Sequence, residues 1–227
     1  MIDIHSHLMF KVDDGAKSFA ESMRLLLNAE KEGITDVIFT PHFIKNGEYR
    51  KRADELKAIF DIFQKGCQNN GLQIRLHLGN VLYIHPELDH LLESGEILTL
   101  NQSKYILVEF PFTKYSSEYD DILFNLKMSG YRVIIAHPER YSYVQNNVSF
   151  VERWVSEGFL LQINQSSLFK KETKDICFRM IEDGKVYFCA SNAHSEHRPC
   201  TLKDAYHLIE KNMEGILFIE FLKSILN

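Results

Sequence analysis

Short apolar runs that alternate with amphipathic helical patterns predict an α/β fold, with parallel strands closed into a β/α barrel. The runs are apolar throughout rather than every second residue, which marks strands buried on both faces. Counting the βαβ units gives about seven, slightly short of the eight-stranded barrel. No Gly/Pro/Ser-rich linker, internal repeat or low-complexity tract interrupts the chain, so residues 1–227 read as a single domain. Strand order is not written in this pattern, and an open doubly wound sheet fits the same alternation.

The predicted strands cover residues 2–5, 36–40, 74–79, 105–110, 132–137, 160–164 and 186–191, each rich in β-branched or aromatic residues. The first helix has punctuation at both ends. Ser18 and Glu21 form a capping-box pair, Leu25, Leu26 and Ala29 give an apolar stripe, and Gly33 closes it. Residues 50–65 carry Leu56, Ile59, Phe60 and Phe63 on one helical face, and 116–128 form a helix that stops before Gly130. Further helices are predicted over 149–157, 172–183 and 201–211, with a weak terminal one over 216–225.

Composition excludes several classes of function. The chain has 227 residues, 45% hydrophobic and 25% charged, with a formal charge of −5. It therefore lacks the basic footprint of a nucleic-acid binder. No window approaches the ~20 apolar residues that span a bilayer, and Asp3 and His5 break the first apolar run, so neither membrane insertion nor a signal peptide is expected. Cys67, Cys177, Cys189 and Cys200 form no CxxC pair and read as reduced thiols of a cytoplasmic protein. None has an arginine six positions later, which removes the thiolate-and-arginine loop of cysteine phosphatases. P-loop, GxGxxG and GxSxG patterns are also absent. Residues 170–174, lysines broken by Glu172, read as a solvated face.

The polar residues are placed informatively. Strand one ends in His5-Ser6-His7, strand two in Thr40-Pro41-His42 and strand three in Gly79-Asn80. Strand four ends at Glu109, strand five at His137 and strand seven in Asn192-Ala193-His194. In a parallel barrel all these ends open on one face, where active sites lie. A single histidine at a strand end is more often structural than functional. Here His5, His7, His42, His137 and His194 join Asp14 and Glu109 on one mouth, and imidazole with carboxylate is the ligand set of Zn, Mn and Fe. His5 and His7, two apart on a strand, point the same way.

With those residues placed, the chain resembles the PHP (polymerase and histidinol phosphatase) family, and within it the manganese-dependent tyrosine-protein phosphatases of capsule and exopolysaccharide loci. The likeness rests on Ile2-Asp3-Ile4-His5-Ser6-His7, Asp13-Asp14-Gly15-Ala16-Lys17-Ser18 and Glu32-Gly33-Ile34-Thr35-Asp36. It continues through Thr40-Pro41-His42, Val108-Glu109-Phe110-Pro111, His137-Pro138-Glu139-Arg140 and Ala190-Ser191-Asn192-Ala193-His194. The resemblance implies a distorted seven-stranded TIM-like barrel with up to three divalent ions, manganese first and otherwise iron, zinc or cobalt. It implies His5 and His7 on one ion, Glu109 and His137 on a second, and Asp14, His42 and His194 on a third. It also implies Arg140 and Arg198 on the phosphoryl oxygens, and a phosphotyrosine-bearing tail of a bacterial tyrosine kinase as partner.

Two positions depart from the family pattern. Asn80 and Asn192 stand where the family carries Glu and Asp. An amide carries no charge, so the first two ion sites are expected to be weakened. Two further readings follow: a degenerate barrel that captures phosphorylated tails without cleaving them, and a phosphatase of small phosphate esters.

Overall fold

The computed structural model describes residues 1–212 together with 225 and 226. Its strands are β1 (Ile2–Ser6), β2 (Asp36–Phe39), β3 (His42–Phe43), β4 (Arg75–Leu78), β5 (Val81–Tyr83), β6 (Tyr105–Glu109), β7 (Arg132–Ala136), β8 (Leu160–Asn164) and β9 (Phe188–Ala190). The helices are α1 (Phe19–Lys31), α2 (Ala53–Asn69), α3 (Leu88–Glu93), α4 (Glu118–Met128), α5 (Ser142–Asn146), α6 (Ser149–Ser156), α7 (Lys174–Glu182) and α8 (Lys203–Asn212). The terminal helix expected over 216–225 falls almost wholly outside the described residues.

All strand pairs are parallel, in the orders β1-β2-β4 and β3-β5-β6-β7-β8-β9. Strand β2 resumes as β3 after Pro41, which has no amide to donate, and β4 resumes as β5 after Gly79-Asn80. The predicted second and third strands are therefore each longer than the sequence suggested, and the wall still has seven staves among the described residues. The ring closes where Asn192 N donates to His5 O (2.9 Å) and His7 N donates to Ala193 O (2.7 Å). Closure rules out the open doubly wound sheet.

Side chains sort by strand parity. One face of the strands supplies a small inner core that includes Ile4, Ile38, Val81, Leu107, Ile134 and Phe188. The other face packs against the helices in a larger shell through residues such as Val37, Phe39, Ile106, Val108, Ile135 and Leu161. Strand β1 has a bulge: Asp3 pairs with Val37 but Ser6 with Phe39, one extra residue on β1. The extra residue reverses parity within β1, so Ile4 fills the inner core while His5 and His7 also reach the mouth.

Helix α1 begins as predicted, with Glu21 N donating to Ser18 Oγ (3.2 Å). The reciprocal bond differs: Glu21 Oε2 accepts from Lys17 N (2.8 Å), not from the cap residue itself. Helices α3 and α5 were not expected; both are short and lack a full amphipathic period.

Candidate metal centre

The loop after β1 is pressed against the strand end. A Cβ at Gly15 would lie 1.8 Å from His7 O, so only glycine lets Ala16 N reach that oxygen (3.1 Å). The same loop carries two acids with different tasks. Asp13 Oδ2 lies 2.6 Å from His7 Nδ1 and also accepts from His42 N (3.1 Å), while Oδ1 accepts from Gly15 N (3.1 Å). Asp14 turns to the mouth, with Oδ1 3.6 Å from both His42 Nε2 and His194 Nε2.

Hydrogen bonding fixes the tautomers. A carboxylate or carbonyl oxygen can only accept, so His7 Nδ1 carries its proton toward Asp13 and His194 Nδ1 donates to Asn192 O (2.9 Å). His5 Nδ1 faces Gln162 Oε1 at 2.9 Å, and the Gln162 amide is oriented by its bond to Asn164 Oδ1 (3.1 Å). The Nε2 lone pairs of His5 and His7 then point at one another across 3.2 Å. Two lone pairs so close repel unless a cation lies beside them.

Burial, then the neighbouring imidazoles, hold His5 and His7 well below the ordinary histidine range. Burial and then Arg140 do the same to His137. Burial, followed by Arg198, brings His194 down to about 4. These rings are neutral at neutral pH, with lone pairs available as ligands. Glu109 is raised by burial and lies between two rings, with Oε2 3.5 Å from His42 Nδ1 and Oε1 3.7 Å from His137 Nε2.

His7, Asp14, His42 and His194 offer ligand atoms that all lie within 4.8 Å of one another. Two buried polar atoms at the same mouth, His137 Nδ1 and Asn192 Oδ1, have no hydrogen-bond partner. Facing lone pairs, neutral imidazoles and the orphaned amide oxygen of Asn192 together fit a site built for divalent cations. His7 joins the Asp14, His42 and His194 group as well as neighbouring His5, a sharing that sequence spacing did not reveal.

The backbone is bent to make this site. His137 (φ 36) and Asn192 (φ 49) are left-handed, a conformation costing a non-glycine residue ~1–2 kcal/mol. His137 directly follows β7, and Asn192 lies two residues past β9, so both left-handed residues stand at carboxyl ends of strands.

Arg140 and Arg198 line a cavity of about 130 Å³ with Asp14, His42, Glu109 and His194. Arg140 Cζ lies 4.6 Å over the Phe112 ring, and Arg198 Nη2 donates to Asn192 O (3.1 Å). Neither guanidinium forms an ion pair among the described residues. Phe112 is 39% exposed and stacks on His137 at 5.8 Å. No sequence pattern marked Phe112; Gln162, the lone polar residue within the Leu160–Ile163 run of β8, was a visible anomaly.

Asn80 is not at the ions' edge. Its Nδ2 donates to Pro41 O (2.9 Å) and its Oδ1 accepts from Leu98 N (3.0 Å), so the side chain clips the wall where two strands pause. The next residue, Val81, is the one on the inner face, paired with His42 and Leu107. The other histidines lie elsewhere: His77 bonds Asp36 (2.9 Å) and His85 lies 3.3 Å from Asn46 Nδ2. Glu196 pairs with Arg24 (2.9 Å) rather than turning to the mouth.

A closed parallel barrel with imidazoles and carboxylates at its carboxyl mouth defines a PHP-type barrel with a candidate metal centre. The phosphotriesterase homology protein of Escherichia coli shares the fold, with a TM-score of 0.56 at 12% identity over 99% of this chain and 94% of that one. The family model for capsular polysaccharide synthesis, CpsB/CapC, matches residues 1–222, and the chain belongs to that family. It is 33% identical over 215 residues to the tyrosine-protein phosphatase YwqE of Bacillus subtilis (strain 168), covering 93% of this chain and 84% of the relative. Among the crystal structures of YwqE from Bacillus subtilis and CpsB from Streptococcus pneumoniae, metal-dependent tyrosine phosphatases, one chain matches with a TM-score of 0.94 at 31% identity. That match covers 100% of this chain and 94% of the other. No described helix is long and apolar enough to cross a membrane, and all four cysteines are buried and free.

Proposed function

We propose that this chain is a metal-dependent phosphomonoesterase that removes phosphate from protein tyrosine. Its substrate is the phosphorylated tail of a bacterial tyrosine kinase that regulates capsular and exopolysaccharide synthesis, and it acts in the cytoplasm as one barrel domain. The observation that carries this reading is the pair of guanidiniums, Arg140 and Arg198, which form no ion pair among the described residues and stand beside the His7, Asp14, His42 and His194 ligand group over one opening. The relatives' phosphatase names point the same way.

Divalent ions, manganese first and otherwise iron, zinc or cobalt, held by that group and by His5, Glu109 and His137, would supply Lewis acidity and a nucleophile active at neutral pH. Arg140 and Arg198 bind the phosphoryl oxygens, for which the planar fork of a guanidinium is shaped. The exposed ring of Phe112 receives the phenyl ring of the substrate in stacked contact. A phenol of pKa ~10 is a better leaving group than an alkanol and needs less help from an acid.

The direct test is hydrolysis of p-nitrophenyl phosphate and a phosphotyrosine peptide by metal-stripped protein titrated with manganese or cobalt. Absence of turnover at every ion concentration would sink the proposal. The Phe112→Ala variant should lose about two- to tenfold in kcat/KM on aryl phosphates beyond its loss on alkyl phosphates, the ~0.5–1.5 kcal/mol of an aromatic pair. The loss common to both classes reads out the support Phe112 gives Arg140. An equal loss on both classes would show that Phe112 does not touch the leaving group.

Asn192 is the position where a lost charge bears on the ions, since its Oδ1 is buried without a partner. Asn192→Asp should raise manganese affinity ~10–100-fold, read by equilibrium dialysis. Unchanged affinity would place the ion away from residue 192. Glu at position 80 would break two buried hydrogen bonds instead, so a carboxylate added from that stave belongs at Val81.

A further inference from the structure

A second hollow opens beside the metal mouth. It has a volume of about 330 Å³ and shares Arg140 and Arg198 with the mouth, so the two are contiguous. Its other lining includes Lys170, Gln145, Asn164 and Ser166. Every residue around it is cationic or neutral, whereas the mouth itself contains Asp14 and Glu109. In a chain of formal charge −5, three cations without a carboxylate among the lining residues form a local reversal of sign. Buried Glu139 is outside the lining but bonded to it, accepting from Asn164 N (3.0 Å) and, through its backbone oxygen, from Gln145 Nε2 (2.8 Å).

The segment carrying Lys170 is anchored. Thr173 Oγ1 donates to Ser167 O (2.8 Å), and Thr173 N and Lys174 N both donate to Lys170 O (3.2 and 2.8 Å). This holds the lysine at the rim of the hollow. What the sequence pattern presented as a solvated lysine face is, at this one residue, part of the lining.

We propose that this hollow is a subsite for a second anionic group on the substrate chain, a carboxylate or another phosphate, near the tyrosine being dephosphorylated. The proposal rests on the phosphatase reading for the identity of the first group and deepens it: the preferred substrate is an acidic or multiply phosphorylated tail. Arg140 and Arg198 stand between both anions, and Lys170 belongs to the second alone. Charge-assisted hydrogen bonds are the stronger ones, and complementary charge also rejects neutral competitors.

The test uses the full chain loaded with manganese, and Lys170→Glu and Lys170→Ala variants of this exposed position. Three dye-labelled peptides of one length carry a non-hydrolysable phosphonate at the tyrosine. One has neutral flanks, one has glutamates beside the tyrosine, and one has a second phosphotyrosine. Fluorescence anisotropy gives their affinities, and p-nitrophenyl phosphate turnover is measured in parallel as a substrate without a second anion. The wild-type chain should bind one or both of the anionic peptides about five- to twentyfold tighter than the neutral one. Lys170→Glu should reduce that advantage to less than about twofold, Lys170→Ala should fall between, and p-nitrophenyl phosphate turnover should be unchanged. A gain with both anionic peptides identifies a subsite that accepts carboxylate, and a gain with the doubly phosphorylated one alone identifies a phosphate subsite. Equal binding of all three peptides, or an equal shift of all three in Lys170→Glu, overturns the proposal. If p-nitrophenyl phosphate is not hydrolysed while the peptide preference persists, the subsite stands and the phosphatase reading fails.

Discussion

His7→Ala should lower kcat/KM for aryl phosphate hydrolysis by about 10³-fold, the loss of ~4 kcal/mol of the charge stabilisation that bound ions supply. His7 is the ring common to all parts of the site. Its Nε2 lies 3.2 Å from that of His5, its ring centroid is 4.0 Å from His194 and 4.4 Å from His42, and its Nδ1 is held by Asp13 at 2.6 Å. Removing it takes a ligand from the four-residue group and leaves the Asp13 carboxylate without its main side-chain partner. The second effect should cost ~1–3 kcal/mol of stability, so thermal melting and manganese content are measured beside the kinetics. Asp13→Asn separates the two effects, since it leaves every proposed ligand in place while disturbing the orientation of His7. A His7→Ala protein that folds, retains its manganese and works within tenfold of wild type would remove His7 from the ion site. The pH dependence has a definite sign. Protons and ions compete for the same nitrogens, and burial with Arg198 places His194 at about 4. Metal binding through this ring should therefore persist through pH 6 and fail only as the pH drops toward 4.

Arg140→Met should cost about 10²-fold in kcat/KM, the size of effect seen when one preorganised donor to a developing charge is lost. The guanidinium belongs to the last residue of the short 3₁₀ turn Pro138–Arg140, directly after the left-handed His137, and its Cζ stacks over the Phe112 ring, 4.6 Å from the centroid. That stacking orients the donors, which is why charge alone is insufficient. Arg140→Lys should recover no more than about tenfold, because an ammonium lacks the planar fork and stacks poorly. Inhibition by inorganic phosphate gives an independent reading and should weaken in both variants. Unchanged phosphate inhibition in Arg140→Met would move the phosphoryl group away from this side of the mouth.

Much of this protein was written in local sequence. Continuous apolar runs separated by helical stripes gave the seven parallel staves, because burial on both faces leaves a distinct pattern. The choice of a closed barrel over an open sheet came with the closure of the ring. The strand-end positions of His5, His7, His42, Glu109, His137 and His194 gave the metal face, since parallel strands must all end on one side. Tertiary structure decided which of these residues lie close enough to hold one ion between them. The bulge in β1 and the left-handed turns at His137 and Asn192 redirect side chains by one residue, and no periodicity records that. The same limit applies to Asn80 and Val81, where a one-residue change of face separates a backbone clip from the lining of the inner core. Lys170 reaches the site's neighbourhood only because Arg140 and Arg198 come from distant staves to the same hollow. Sequence fixes the chemistry at each strand end, and the direction in which each side chain points depends on backbone bends that form only when the ring closes.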